Sequence, residues 1–146
     1  MTDRELGDVP LINAYPLFQR LVLAQLGKLH FKYTKTQFTI FSVLSNHDAL
    51  TMGQIAQFIS SSNEQATRAV APLADDGYVE RFTEPENRTR VYVRLTAAGR
   101  EYITAFREEL IGNLDKSLRE SLSGQERQEL HEALVTVVRL MSKIKE

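Results

Sequence analysis

Ser61-Ser62-Asn63-Glu64-Gln65-Ala66-Thr67-Arg68-Ala69-Val70-Ala71-Pro72-Leu73-Ala74-Asp75-Asp76-Gly77 is the stretch on which the fold turns. A Ser followed three residues later by Glu or Gln satisfies two backbone donors that a helix start leaves unpaired. The pattern occurs twice here, as Ser61 with Glu64 and Ser62 with Gln65. Ala66, Ala69, Val70 and Leu73 then recur at helical spacing and mark an inner face. Gly77 is placed to end the helix in a left-handed conformation. A helix to about Asp76 follows, with Pro72 expected to bend or loosen its later part.

Upstream, Ser60 to Ser62 is a tight connection from a short helix that opens at Thr51 with Gln54 and turns Ile55, Phe58 and Ile59 inward. Before it, Thr34 with Gln37 starts a helix that buries Phe38, Ile40, Phe41, Val43 and Leu44 and stops at Asn46-His47-Asp48. A first helix is expected from about Val9 to Leu29. Downstream the period changes from 3.6 to 2. Tyr78 to Phe82 reads as a strand and Glu84 to Arg88 as a turn. From Thr89 to Leu95, Val91, Val93 and Leu95 alternate with Arg90, Tyr92 and Arg94. Thr96 caps a long fifth helix, and Ser123 with Glu126 opens a sixth. The expected fold is mainly α with a small β-hairpin: six helices and a winged helix-turn-helix. One domain is expected over residues 1–146, its lobe at 34–96 flanked by helices at 9–30 and 100–146.

Composition fits this plan and excludes several chemistries. Of the 146 residues, 42% are hydrophobic and 25% charged, an ordinary globular balance. No apolar run is long enough to span a bilayer, and Met1 to Val9 lack the basic and apolar parts of a signal peptide. A cytoplasmic place is expected. The absence of cysteine excludes disulfides and thiolate catalysis. His30, His47 and His131 lie far apart without ligand spacing, so no metal, cofactor or catalytic residue is assigned.

Net charge is −1, without the basic excess common in nucleic-acid binders. Yet every cation between residues 60 and 100 is an arginine: Arg68, Arg81, Arg88, Arg90, Arg94 and Arg100. Arginine's planar fork suits phosphates and guanine edges. A helix that enters the major groove needs short polar residues in its first turns. Ser61, Ser62, Asn63, Gln65, Ala66, Thr67 and Arg68 are the candidates for that contact, Ala66 as a surface for a thymine methyl. Arg88 at the hairpin tip suits the negative minor groove, and Arg90 suits phosphates. Glu84 and Glu86 oppose that role unless they pair with Arg88 or Arg90. The near-neutral charge and the acidic wing tip also suit a protein-interaction module or anti-repressor that reads no DNA.

These segments together resemble the MarR family of transcriptional regulators over roughly Thr34 to Gly99. The similarity rests on Tyr33-Thr34-Lys35-Thr36-Gln37, on Leu73-x-x-x-Gly77-Tyr78-Val79-x-Arg81, on Glu84-Pro85-Glu86-Asn87-Arg88-Thr89, and on Val93-x-Leu95-Thr96-x-x-Gly99. Two positions depart from the family's wing pattern. Asn87 stands where an aspartate would orient the tip arginine, and Thr89 where a second arginine would stand. The resemblance implies a homodimer joined by the first, fifth and sixth helices, which presents two recognition helices about 34 Å apart to a palindromic operator in double-stranded DNA. It further implies repression relieved by a small aromatic or anionic effector.

Overall fold

Four helix starts carry complete capping boxes in the computed structural model, which describes residues 3–144. Met1, Thr2, Lys145 and Glu146, part of the expected domain, lie outside the described residues. The helices are α1 (Asp3–Lys28), α2 (Lys35–Ser45), α3 (Met52–Phe58), α4 (Asn63–Asp75), α5 (Ala97–Ser121) and α6 (Gly124–Met141). The strands are β1 (Leu50–Thr51), β2 (Val79–Glu84) and β3 (Asn87–Leu95). Helix α1 begins earlier than the expected Val9 and runs through Pro10 and Pro16.

Three helices end in the same way. The chain turns through a left-handed residue at His30 (φ 52°), Ser60 (φ 50°) and Gly77 (φ 78°). After α4, Tyr78 N–H donates to Leu73 O at 2.9 Å and Gly77 N–H to Ala74 O at 3.0 Å. After α3, Ser61 N–H donates to Ala56 O at 2.9 Å and Ser60 N–H to Gln57 O at 3.1 Å. Both are the paired 6→1 and 5→2 bonds of a Schellman stop. Sequence pattern flags Gly77 for this job because glycine lacks a Cβ penalty. Ser60 does it with a side chain, at a cost that the α3–α4 turn must carry.

The expected hairpin is one part of a three-stranded antiparallel sheet in the order β1-β3-β2. Leu50 and Thr51 pair with Val93 and Tyr92 and tie the start of α3 to the hairpin. The core lies where α2, α3, α4 and the sheet meet, with Ile40, Phe41, Leu44, Ile55, Val70, Leu73, Val93 and Ile103 essentially closed to solvent. Each such side chain contributes about 1.5–3 kcal/mol of burial. Gly99 lets α5 approach this frame. A Cβ there would stand 1.8 Å from the Tyr78 carbonyl oxygen. Thr96 closes the same junction: its N–H donates to Tyr78 O at 3.0 Å, its hydroxyl donates to Gly77 O at 2.6 Å, and it accepts from Gly99 N–H at 3.0 Å.

The chain divides into two compact units, Met1–Leu110 and Ile111–Glu146. The second holds the end of α5 and all of α6. Ser123 caps α6, and the Arg127 guanidinium donates to Leu122 O at 2.8 Å. Helix α6 has no buried residue. Val135, Val138, Leu140 and Met141 are all exposed. No helix among the described residues is long and apolar enough to cross a membrane.

Candidate nucleic-acid interface

The outer surface of α4 is set by what its inner surface buries. Ala66, Val70 and Leu73 face the core with no exposure. Residues on the opposite side therefore stand in solvent. Ser62 is the N-cap: its hydroxyl accepts from Gln65 N–H at 3.2 Å, and Gln65 Oε1 accepts from Ser62 N–H at 3.3 Å. The alternative start at Ser61 is not used, because the Ser61 N–H is already donated to Ala56 O in the preceding stop. Its hydroxyl bonds the Ser62 carbonyl at 3.3 Å instead. The cap engages the oxygen of the Gln65 amide and not its nitrogen.

Asn63, Gln65, Thr67 and Arg68 are exposed, as expected of a contact surface. The Thr67 hydroxyl donates to Asn63 O at 2.8 Å and holds its rotamer. Arg68 pairs with Glu64 one turn away, and both side chains are about three-quarters exposed (75% and 74%). Such a pair contributes little to stability, so Arg68 can exchange Glu64 for a base edge or phosphate at small cost. Ala66 is a correction. The methyl expected to meet a thymine is fully buried in the core. Its place in the 3.6-residue inner stripe decides this over its place in the polar run.

The hairpin supplies the second wall. Glu84 pairs with Asn87 across Pro85 and Glu86, after a register shift at Thr83/Glu84. Asn87 Oδ1 accepts from Thr89 N–H at 3.2 Å and from the Thr89 hydroxyl at 2.6 Å. The asparagine therefore fastens the turn to Thr89, the other departed position, and not to Arg88. Arg88 and Arg90 are exposed. Among the described residues, neither Glu84 nor Glu86 pairs with them, so the compensation expected of those glutamates is not formed. Arg94 is occupied elsewhere: it pairs with Glu80 and lies over the Phe82 ring at 4.4 Å, which itself stacks on Tyr92 at 5.5 Å.

Between the wing and α4 lies an open groove of about 580 Å³. Asn63 and Thr67 line it from α4, Thr51 and Gly53 from the start of α3, and Arg81, Asn87 and Arg90 from the hairpin. Two guanidinium groups and several small polar side chains in one concave strip suit a phosphate backbone. Arg81 was not singled out from the sequence as a contact. Its pairing opposite Val93 puts it on the core side of β2 just beyond the core edge, which β-alternation could have indicated.

Two of the three histidines have structural surroundings. His30 sits at the left-handed stop of α1, and His47 Nδ1 lies 2.7 Å from Val43 O beside the Phe58 ring.

Comparison with known proteins gives concordant results. A model described as the MarR family matches residues 33–91. The HTH-type transcriptional regulator YfiV of Bacillus subtilis (strain 168) is 29% identical over 109 residues, covering 75% of this chain and 68% of the relative. Wild-type apo MarR from E. coli superposes with a TM-score of 0.73 at 23% identity, covering 90% of this chain and 96% of that one. NadR, solved in complex with 4-hydroxyphenylacetate, gives 0.67 at 21% identity, covering 99% and 98%. The two structural likenesses establish the fold.

Proposed function

The chain belongs to the MarR family, and from that premise we propose that it is a homodimeric, cytoplasmic repressor that reads a palindromic operator and is released by a small aromatic anion. The observation that carries the reading is the α4 surface. Asn63, Gln65, Thr67 and Arg68 stand clear of the core on a helix whose first turn is fully capped, next to a groove bearing Arg81 and Arg90. Asn and Gln suit adenine, and Arg suits guanine. Ser61 and Ser62 set the helix start, and Arg88 reaches the adjacent minor groove.

Dimerisation is supported by unpartnered apolar surface. Val9, Leu11, Ile12 and Leu17 of α1 are exposed, as are Val135, Val138, Leu140 and Met141 of α6. A two-fold dimer formed through these helices removes that surface from water and supplies the second recognition helix.

The effector proposal rests on two adjoining cavities of about 490 and 750 Å³, within the size range of ligand sites. They share Leu23, Lys35 and Thr36. Phe18, Phe38 and Phe58 give apolar walls, and Lys35 supplies positive charge for a carboxylate. The first cavity reaches Ile59 and Ser60, the turn that leads into α4. A ligand that prefers one setting of this turn shifts the population of DNA-competent dimers, by no more than its differential affinity.

The test is a titration of the protein with DNA from upstream of its own gene, against scrambled DNA, with and without 4-hydroxyphenylacetate as probe. Selective binding that weakens with salt and with the aromatic acid is expected. A second reading, an interaction module that reads no DNA, draws on Glu64, Glu84 and Glu86, carboxylates on or beside the DNA-facing surface. Absence of any preference for upstream DNA would favour it and remove the first.

A further inference from the structure

Apolar burial holds α4 against the core but does not fix how it sits. The contacts of Ala66, Val70 and Leu73 are non-directional. In addition, Pro72 has no N–H, so the Arg68 carbonyl lacks its usual donor one turn later. Directional anchors must come from outside the helix, and they come from one short segment, residues 32–37.

Gln37 is buried, with 7% exposure. Its Oε1 accepts from Thr34 N–H at 2.9 Å, and its Nε2 donates to Ala69 O at 3.0 Å. One amide thus completes the cap of α2 and grips α4 beside the carbonyl that Pro72 leaves open. The second anchor is at the far end. Asp76, the C-cap of α4, accepts from the Tyr33 hydroxyl and from Lys32 Nζ at 2.9 Å. A carboxylate there opposes the helix dipole, so local helix energetics do not account for it. Tyr33 is itself set in an aromatic cluster, with Phe41, Tyr102 and Tyr78 at centroid distances of 5.6, 6.0 and 6.3 Å. The Tyr33 hydroxyl, and after it Lys32, hold the Asp76 carboxyl below the usual carboxylate range.

We propose that Tyr33, Lys32 and Gln37 are positioning residues for DNA reading: they clamp the middle and the end of α4 and set how well its outer face fits the operator, without touching DNA. The clamp rests on the DNA-reading proposal above. Asp76 lies thirteen residues beyond Asn63, a helical rise of about 20 Å, so it acts through α4 and not on the duplex. Tyr33 also lines the 750 Å³ cavity, with Phe31 and Lys35. The clamp therefore adjoins the space assigned to the effector.

The experiment compares wild type, Tyr33→Phe, Asp76→Ala and the double variant in the full chain. Three quantities are read: affinity for upstream DNA, affinity for scrambled DNA, and amide exchange across α4. Each single variant is expected to lose about five- to tenfold in specific affinity, a charge-assisted bond discounted for its exposure. Scrambled-DNA affinity and the salt slope should not change, since no phosphate contact is removed. The double variant should be no worse than Asp76→Ala, because both remove the same bond. A merely structural role also lowers the melting temperature, but it leaves specific affinity at the wild-type value. Specific affinity within twofold of wild type in both single variants overturns the proposal. If the wild type itself shows no preference for upstream DNA, the DNA-reading proposal fails separately. Exchange then decides the clamp: faster exchange from Ala69 to Asp76 in Tyr33→Phe supports it, and unchanged exchange overturns it.

Discussion

The first turns of α4 and the tip of the wing are proposed to meet the same duplex, yet they are held in opposite ways. Helix α4 starts from a two-bond cap, buries three side chains completely, and is gripped by Gln37 at Ala69 and by Tyr33 and Lys32 at Asp76. Every residue from Thr83 to Val91 is exposed, and the tip is fastened by Asn87 to Thr89. The root of the wing is as fixed as the helix, through Tyr78, Thr96 and Gly99. The difference assigns separate tasks. A preformed helix can discriminate bases, because misplaced donors lose their bonds. Tip arginines without fixed partners contribute charge, which is tolerant of position.

The largest expected effect breaks the fixed root. Gly99→Ala drives a methyl into the Tyr78 carbonyl at 1.8 Å, and both atoms belong to packed elements. A loss of more than about 4 kcal/mol is expected, visible as a collapsed urea midpoint or insoluble protein. A near-normal midpoint would mean the junction is soft. Next, Leu73→Ala opens a cavity under α4 and should cost about 2–5 kcal/mol, whereas Glu86→Ala at the tip should stay within about 0.5 kcal/mol. Equal losses in denaturant melts would erase the contrast between the two regions.

On DNA, Arg68→Ala should cost about 1–3 kcal/mol and relax preference at one base position. Arg88→Ala should weaken all sequences alike and lower the salt slope by about one. Anisotropy titrations at several salt concentrations separate the two patterns. The smallest effect concerns pH. Burial, then the bond to Asp76, raises the Tyr33 hydroxyl above the ordinary tyrosine range. A raised group favours the folded state fully below about pH 10 and loses that contribution as pH rises further. Thermal melts of Tyr33→Phe should therefore fall less steeply above pH 10 than those of the wild type. An identical slope would contradict a hydroxyl held neutral at the clamp.

Much of this architecture is legible in local spacing. The capping boxes at Thr34, Thr51, Ser62 and Ser123, the stop at Gly77 and the alternation from Thr89 to Leu95 are short-range devices, so a linear reading recovers them. Strand β1 is not legible, because two residues carry no period and its pairing with Val93 and Tyr92 is made across 40 residues of chain. Ala66 shows two local rules in conflict: it sits in the polar start of α4 and in its apolar stripe, and core packing decides. The clamp from Tyr33 to Asp76 depends on where distant segments meet, and the pairing of Arg94 with Glu80 on the register of the hairpin. The wing's departures at Asn87 and Thr89 read singly as losses. In the structure the two residues hold each other: Asn87 Oδ1 accepts from the Thr89 N–H and from the Thr89 hydroxyl.

Selection of bound sequences from a random duplex pool tests the central claim most directly, run in parallel on the wild type and Arg68→Ala. The account predicts that the wild type enriches two inverted half-sites with centres about one helical turn apart, and that Arg68→Ala retains that spacing while losing preference at one position in each half-site. A wild-type pool without enrichment, or an Arg68→Ala motif identical to the wild-type motif, would contradict the assignment of the α4 face as the reading surface.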